Sequence, residues 1–274
     1  MPEGDTLHRA AKTLQLALGG KRVTHFHSEY AHVAVAAENR PVEGETVEEV
    51  RAAGKHLLMR FSNGLTLRTH MRMNGSWHLY RPGERWKRPR SAMRLLLRTE
   101  DYEAVAFSVP VAELVTERQL QRGDVGRLGP DLLGDDFDVE EAIARLRERG
   151  RQPIGELLLN QRVSAGIGNV YKSETLFLAG VRPDRLGADV TDEELRSLFE
   201  TAGTLMKANV RVGSDEGITT YFGYRRTTRA GDPSQRLWVY GRAGEPCRKC
   251  GGPIAFVKQG LGARSTYFCP SCQR

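Results

Sequence analysis

Residues 160–174 read NQRVSAGIGNVYKSE, a glycine turn between two helical patterns, and they lie within the helical part of the sequence. Before them, in about residues 21–111, short alternating apolar and polar runs are separated by Gly, Pro, Asn and acidic residues, as in antiparallel strands. Residues 138–149 and 191–208 are helical patterns with acidic first turns and basic ends. The sequence therefore predicts a β-rich part followed by a helical part.

The elements within these two parts can be predicted from the period of their apolar residues. Residues 6–18 have helical spacing and end at Gly19-Gly20, and residues 153–160 and 169–179 are also helical. Residues 213–231 have no period, and we interpret them as a mobile loop. The predicted strands are KRVTHFH, HVAVAA, KHLLMRF, LTLRTH, GSWHLY, MRLLLR and YEAVAF.

Composition sets broad limits on the function. The 274 residues are enough for one large or two smaller domains, and 39% hydrophobic content suits a folded protein rather than a membrane protein. The N-terminus lacks the apolar segment of a signal peptide, so we expect a cytoplasmic protein. The net charge of +7 is compatible with an anionic partner, but nucleic-acid, ribosomal and phosphometabolite proteins all share such a charge.

All four cysteines lie in the last 28 residues as two C-x2-C pairs: Cys247, Cys250, Cys269 and Cys272. Four thiolates from two tight turns suit one structural Zn²⁺ and leave no open position for catalysis. A redox-active pair is the alternative, but two pairs at this separation favour zinc. The residues between the pairs predict two strands and a glycine turn, so this module is a β-hairpin zinc finger that carries Arg264.

The glycine turn in residues 160–174 has two interpretations. Gly166 and Gly168 permit a sharp turn, after which Asn169 opens a helix whose free N–H groups suit a phosphate oxygen. The alternative is an ordinary helical hairpin in which Asn169 is the N-cap residue.

The first residues carry a possible nucleophile. Removal of Met1 exposes the secondary amine of Pro2, which has appreciable free base near neutral pH. Such an amine can attack a sugar carbon and form an iminium, and the neighbouring Glu3 offers a carboxyl group for proton transfer. Alone, Pro2 is a common start of a chain, so this hypothesis depends on its context.

That context is a family resemblance over essentially the whole chain. MPEGDTLHRAA, GKHLLMRF, AGIGNVYKSE and the four-cysteine hairpin follow one another as in the formamidopyrimidine-DNA glycosylase/endonuclease VIII family of base-excision repair enzymes, which the chain resembles. The resemblance implies an α+β multidomain fold. An N-terminal helix and antiparallel β-sandwich occupy residues 1–115, a hinge 116–130, a helical domain with a helix-two-turns-helix motif 131–236, and the zinc finger 237–274.

The resemblance also implies the catalytic residues. Pro2 matches the nucleophile that displaces the damaged base from C1′, and Glu3 matches the acid that helps the base leave and the sugar ring open. Lys55 matches a lysine associated with β-elimination, although the residues alone would make it an exposed strand lysine. Arg264 matches an arginine that binds a phosphate beside the lesion and is linked to δ-elimination.

Four further residues correspond to DNA contacts. Asn169 matches a phosphate-binding asparagine, and Arg127 matches a DNA-binding arginine near the hinge. The turn HMRMNG, residues 70–75, fits the loop that fills the gap left by a flipped nucleotide. Met73 is the expected wedge with Arg72 beside it on the orphaned base, and a core methionine is the alternative interpretation of Met73.

Some positions differ from the family pattern. Gly4 and the HRAA stretch favour the endonuclease VIII branch, whereas HMRMNG keeps the methionine of the guanine-repair branch. Asp5 and Thr6 stand where the family has proline and glutamate, so a second carboxylate near the sugar is moved or absent. Residues 81–98 hold seven basic and one acidic side chain, which is either a phosphate-binding strip or plain solvated surface.

We therefore expect an endonuclease VIII-like bifunctional glycosylase/AP lyase that acts on oxidised pyrimidines in damaged double-stranded DNA. We expect a monomer of bacterial type, associated with the nucleoid through DNA and not with a membrane. The alternatives are a formamidopyrimidine/8-oxoguanine glycosylase with the same chemistry, a catalytically silent DNA-damage-binding protein, and a zinc-ribbon transcription or ribosomal factor.

Overall fold

The computed structural model describes residues 2–210, 226–228 and 235–274. The chain forms two compact units, whose described residues are 2–127 with 210, and 128–209 with 226–228 and 235–274. The loop predicted at residues 213–231 lies outside the described residues except for 226–228. In the described ranges, every helix is too short or too polar to cross a membrane.

The first unit is an N-terminal helix followed by a β-sandwich. Its helices are α1 (Gly4–Leu18), α2 (Ala31–Asn39) and α3 (Glu117–Arg122). Its strands are β1 (His25–Ser28), β2 (Val47–Ala53), β3 (His56–Phe61), β4 (Leu65–His70), β5 (Ser76–Tyr80), β6 (Met93–Arg98), β7 (Glu103–Phe107) and β8 (Val111–Thr116). They form two four-stranded antiparallel sheets with strand orders β1-β6-β7-β5 and β2-β3-β4-β8.

The core of this unit lies between the two sheets and α1. In β4, Leu65 and Leu67 belong to this core, together with Trp77 from the other sheet. Successive side chains of a strand point to opposite faces, so Arg68 and His70 lie on the outer face of the same sheet. The predicted antiparallel sandwich is confirmed, and its outer face carries polar side chains.

Several elements of the first unit differ from the sequence-based expectation, and β8 and α3 lie beyond the predicted strands. HVAVAA, predicted as a strand, is part of α2: its alanines favour a helix, and Val33 is buried while Val35 is 53% exposed. Conversely, β2 was not predicted, because its buried residues recur at every third position and not at every second. A register irregularity between Val47 and Glu49 accompanies this pattern.

The second unit packs helices and a β-hairpin. Its helices are α4 (Val139–Arg147), α5 (Ile154–Leu157), α6 (Asn169–Ala179) and α7 (Asp192–Asn209), and its strands are β9 (Ala255–Gln259) and β10 (Arg264–Phe268). Asp138 caps α4, because its side chain accepts a hydrogen bond from Glu141 N at 2.9 Å. The predicted helices and the antiparallel hairpin are confirmed, although α5 is shorter than the expected residues 153–160.

Candidate functional site

Pro2 and Glu3 are both buried directly before α1. Glu3 is the N-cap residue, and its carbonyl oxygen accepts hydrogen bonds from Thr6 N at 3.0 Å and Leu7 N at 3.2 Å. Its fully buried carboxyl group therefore lies at the N-terminus of α1. Asp5 is also fully buried and accepts a hydrogen bond from Thr6 Oγ1 at 3.3 Å, so the first turn of α1 contains a second carboxyl group.

Lys55 lies in the turn between β2 and β3, beside the buried His56 and the half-buried His70. The strand register places His56 opposite His70, and their ring centroids are 4.8 Å apart in an edge-to-face arrangement. Burial, aided by His70, Arg68 and Lys55, lowers the pKa of His56 to about 3. Burial and then Lys55 are the main causes that lower the pKa of His70 to about 4. Both imidazoles are neutral at neutral pH, and sequence analysis had not singled them out.

The turn in residues 70–75 presents one methionine to solvent. Met73 is 58% exposed, whereas Met71 is 1% exposed, so the core-methionine interpretation is wrong for Met73 and applies to Met71. Arg72 has a left-handed backbone with φ 46°, and its N–H donates to His70 Nδ1 at 3.1 Å. A Cβ on Gly75 would lie 2.6 Å from the Met71 carbonyl oxygen, so the turn needs glycine at that position.

Other basic residues of the first unit lie at its surface. Arg127 is exposed at the end of the 3-10 turn Val125–Arg127. In residues 81–98, five of the seven basic side chains are exposed. Arg88 Nη1 donates a hydrogen bond to the carbonyl oxygen of Asn74 at 3.4 Å. The basic strip therefore touches the turn that presents Met73.

In the second unit, the glycine turn leads into α6. Gly166 has φ 111°, and its N–H donates to Gln161 Oε1 at 3.1 Å. Gly168 is the N-cap residue and Asn169 the first residue of the helix, so the interpretation of Asn169 as the N-cap is wrong. Asn169 is 9% exposed at the N-terminus of α6, an arrangement that suits an anion.

Lys172, three residues after Asn169, is fully buried and joins α6 to the hairpin. Its Nζ donates to the carbonyl oxygen of Ser265 at 3.0 Å and to Thr266 Oγ1 at 2.5 Å. These acceptors directly follow Arg264, which is exposed at the start of β10. The structure therefore brings the helix of Asn169 and the strand of Arg264 together through a residue that sequence analysis missed.

Glu174 is a second fully buried charge on α6 that sequence analysis missed. Its carboxylate accepts hydrogen bonds from the backbone N–H groups of Trp238 and Val239 at 2.8 Å and of Tyr240 at 2.9 Å. The hydroxyl of Thr227 donates to the same group. Glu174 thus fixes the path of the chain into the cysteine module.

The four cysteines form one cluster. Their sulfur atoms all lie within 4.8 Å of one another, and tetrahedral Zn–S bonds of about 2.3 Å require sulfur separations of about 3.8 Å. Burial raises the pKa of Cys272 to about 12, whereas the backbone N–H of Gly252 lowers that of Cys250 to about 7. Zinc binding must therefore displace a proton from Cys272. The donor set fits one structural zinc ion.

Comparisons with known proteins agree with this architecture. The Formamidopyrimidine-DNA glycosylase N-terminal domain matches residues 1–110, its H2TH domain residues 128–221, and the zinc finger found in FPG and IleRS residues 244–274. A Streptomyces coelicolor protein named probable endonuclease 8 2 is 42% identical over 100% of this chain and 94% of its own length. A Mycolicibacterium smegmatis protein named DNA-(apurinic or apyrimidinic site) lyase Nei2 is 35% identical, covering 100% and 99%.

A solved structure is similar over the full length of both chains. It is the complex of Lactococcus lactis Fpg with DNA containing N7-benzyl-Fapy-dG, which has a TM-score of 0.81 and 23% sequence identity. The fold, the domain matches and the full-length relatives define a DNA-repair glycosylase with a structural zinc finger. The chain belongs to the formamidopyrimidine-DNA glycosylase/endonuclease VIII family.

Proposed function

We propose that this chain is a bifunctional DNA glycosylase/AP lyase that removes oxidised pyrimidines from duplex DNA through the amine of Pro2. The observation that carries the proposal is Pro2 directly before a fully buried Glu3 at the head of α1. A protein that only binds damaged DNA has no chemical use for a terminal amine beside a buried carboxyl group. The names of the full-length relatives support the endonuclease VIII branch.

In this mechanism the processed amine of Pro2 attacks C1′ of the damaged nucleotide. The bond from C1′ to the base breaks, and the base leaves with the bonding electron pair and takes up the proton that the proline nitrogen releases. Glu3 gives a proton to the ring oxygen as the sugar opens, which leaves an iminium between the proline nitrogen and C1′.

The iminium draws electrons from C2′ and makes its hydrogen acidic. Removal of that proton expels the 3′ phosphate, which is β-elimination, and a second elimination expels the 5′ phosphate. Lys55 and Arg264 supply positive charge near the phosphates that leave. Water then hydrolyses the iminium, so no redox cofactor or nucleotide takes part.

DNA binding in this proposal is divided along the chain. Residues 1–115 carry the chemistry and the turn whose Met73 fills the gap, with Arg72 on the opposite base. Arg127 contacts DNA from the hinge at residues 116–130. Asn169 and Arg264, from residues 131–236 and 237–274, bind phosphates as one monomer holds the duplex. The Lactococcus lactis relative is itself bound to damaged DNA, which supports this partner.

Borohydride trapping on a duplex with one abasic site tests the chemistry. The native protein should give a covalent adduct that maps by mass to the N-terminal peptide. The matched control is the same protein with two residues added before Pro2, which should bind the duplex but give no adduct. If processed native protein binds the duplex and forms no adduct, the lyase proposal is wrong and a damage-binding protein remains.

Single-turnover cleavage of matched duplexes then tests the lesion class. Duplexes with thymine glycol or 5-hydroxycytosine should be cut faster than one with 8-oxoguanine. Faster cutting of 8-oxoguanine would assign the chain to the purine branch with the same lyase chemistry.

A further inference from the structure

Arg68 on β4 donates hydrogen bonds to three other elements of the first unit. Its Nε donates to His56 Nδ1 on β3 at 3.2 Å. Its Nη1 donates to Glu113 Oε2 on β8 at 2.5 Å, and its Nη2 to Asp124 Oδ2, beyond α3, at 3.2 Å. The Arg68 side chain is only 9% exposed, whereas the side chains of Glu113 and Asp124 are 43% and 71% exposed.

This arrangement requires an arginine. A buried cation is costly unless it is paired and hydrogen-bonded, and here each of the three guanidinium nitrogens has its own acceptor. The planar guanidinium directs its donors along fixed, divergent lines, whereas a lysine ammonium is a point charge on a flexible stem. The acceptors on β3, β8 and the segment after α3 are therefore held at set positions around Arg68.

Two of these acceptors adjoin residues with expected DNA roles. His56 directly follows Lys55 and packs against His70, which holds the turn of Met73 through its Nδ1. Asp124 directly precedes the 3-10 turn that ends at Arg127. A continuous set of contacts thus runs from Asp124 through Arg68, His56 and His70 to the turn in residues 70–75.

We propose that Arg68 is a positioning residue for the repair reaction, which fixes Lys55, the turn in residues 70–75 and the segment before Arg127 relative to one another. Arg68 acts through His56, Glu113 and Asp124 and does not itself contact DNA. The inference rests on the proposed function, because it assigns Arg68 to the same reaction. The Nε–H of Arg68 donates to His56 Nδ1, so the neutral His56 ring carries its proton on Nε2.

The test compares Arg68→Met and Arg68→Lys with Arg60→Met as the matched control. Arg60 lies on the neighbouring strand β3 in an exposed ion pair with Glu48 at 3.3 Å. Arg68→Met should slow single-turnover cleavage of an abasic duplex about 30- to 100-fold, because a misplacement of about 1 Å has effects of that size. The Kd for the duplex should change less than about fivefold. Arg68→Lys should recover little of the rate, and Arg60→Met should match the wild type.

A readout on His56 separates positioning from general stability. Ring-nitrogen NMR shifts should show the Nε2–H tautomer in the wild type and a mixture in Arg68→Met. Arg68→Met combined with His56→Asn should be no more than about threefold slower than the slower single variant, since both changes break one path. Fully multiplicative effects of the two changes would overturn the proposal.

The outcomes also separate this inference from the proposed function. If the wild type binds the duplex but never cleaves it, the proposed function is wrong, and the positioning role of Arg68 is wrong with it. If the wild type cleaves the duplex and the cleavage rate of Arg68→Met is within threefold of the wild-type rate, only the proposed role of Arg68 is wrong. If Arg68→Met does not fold, Glu113→Gln and Asp124→Asn test the same contacts from the acceptor side, and wild-type rates in both would overturn the inference.

Discussion

Arg68 in the first unit and the buried pair Lys172 and Glu174 in the second unit are hydrogen-bonded in different ways. In the first, Arg68 pairs with side chains, those of His56, Glu113 and Asp124. In the second, Glu174 accepts from three backbone N–H groups, and Lys172 donates to a backbone carbonyl and a hydroxyl. A side-chain partner can be changed by one substitution, whereas a backbone partner exists only while the chain keeps its path. The second region therefore depends on the fold of the zinc module, and the first can be altered locally.

Removal of the metal should give the largest difference in local stability between the two regions. Structural zinc contributes apparent binding free energies of about 10–16 kcal/mol in finger peptides, so its loss should unfold the hairpin. A chelator should release one zinc per chain, and hydrogen exchange should show loss of protection in β9 and β10 while β4 stays protected. Protection that persists in β9 and β10 after the metal has gone would contradict a zinc-dependent hairpin.

Glu174→Gln should have the next largest effect. An amide replaces one carboxylate oxygen by a donor and leaves buried N–H groups without an acceptor, which costs about 3 kcal/mol of unfolding free energy. Urea unfolding measures this loss. Glu140→Gln is the control, because Glu140 pairs with Arg196 at the surface and its loss should leave stability unchanged. Equal stability of the two variants would contradict the anchoring role of Glu174.

The first region should respond to acid through His56. Its folded pKa is lowered to about 3 from an ordinary value of 6.5, so below about pH 6.5 the unfolded chain binds a proton that the folded protein does not. Stability therefore falls as the pH drops, by about 2 kcal/mol for this histidine between pH 7 and 5.

In His56→Asn, the free energy of unfolding should differ between pH 7 and pH 5 by about 2 kcal/mol less than in the wild type. Urea unfolding at both values measures it. An identical pH dependence in His56→Asn and the wild type would show that His56 does not titrate as expected.

The smallest effects are expected for substitutions at the two proposed phosphate contacts of the second region. Arg264→Ala should weaken duplex binding and lower the slope of log K against log salt by about 1, because one charged contact is lost. Asn169→Ala removes a neutral donor and should weaken binding by about 1 kcal/mol with the slope unchanged. Titrations at several salt concentrations measure both. Unchanged slopes in both variants would argue against a phosphate at Arg264.

The fold could be predicted where the signal is local. The glycine turn before Asn169 and the alternation in β4 depend on neighbouring residues, and both predictions agree with the structure. The strand β2 was missed because its apolar residues have a spacing of three, which is closer to a helical period. Alanine-rich α2 was predicted as a strand because its valines alternate, although Val33 is buried in the core and Val35 is exposed.

The candidate site could be predicted only in part, for a similar reason. The four cysteine ligands follow from spacing, and Pro2, Glu3 and Asn169 were candidates from the residues themselves. The resemblance supplied the remaining candidates and the role of each residue. The partners of Lys172 lie more than 90 residues away, so no local pattern indicates why this lysine is buried. Arg68 and His70 did carry a signal, since alternation puts both on one face of β4, but their link to His56 depends on strand register.

Helix α6 has a further consequence for how this chain can vary in length. Three residues within a span of six have different partners. Asn169 begins the helix, Lys172 donates to the hairpin, and Glu174 accepts from the backbone that leads into the cysteine module. Inserting or deleting one residue turns the rest of a helix by about 100° and shifts it by about 1.5 Å, so the three side chains cannot all keep their partners. We expect chain-length variation among natural relatives to avoid residues 169–174 and to fall in the connecting loops, even where substitutions within the helix are tolerated.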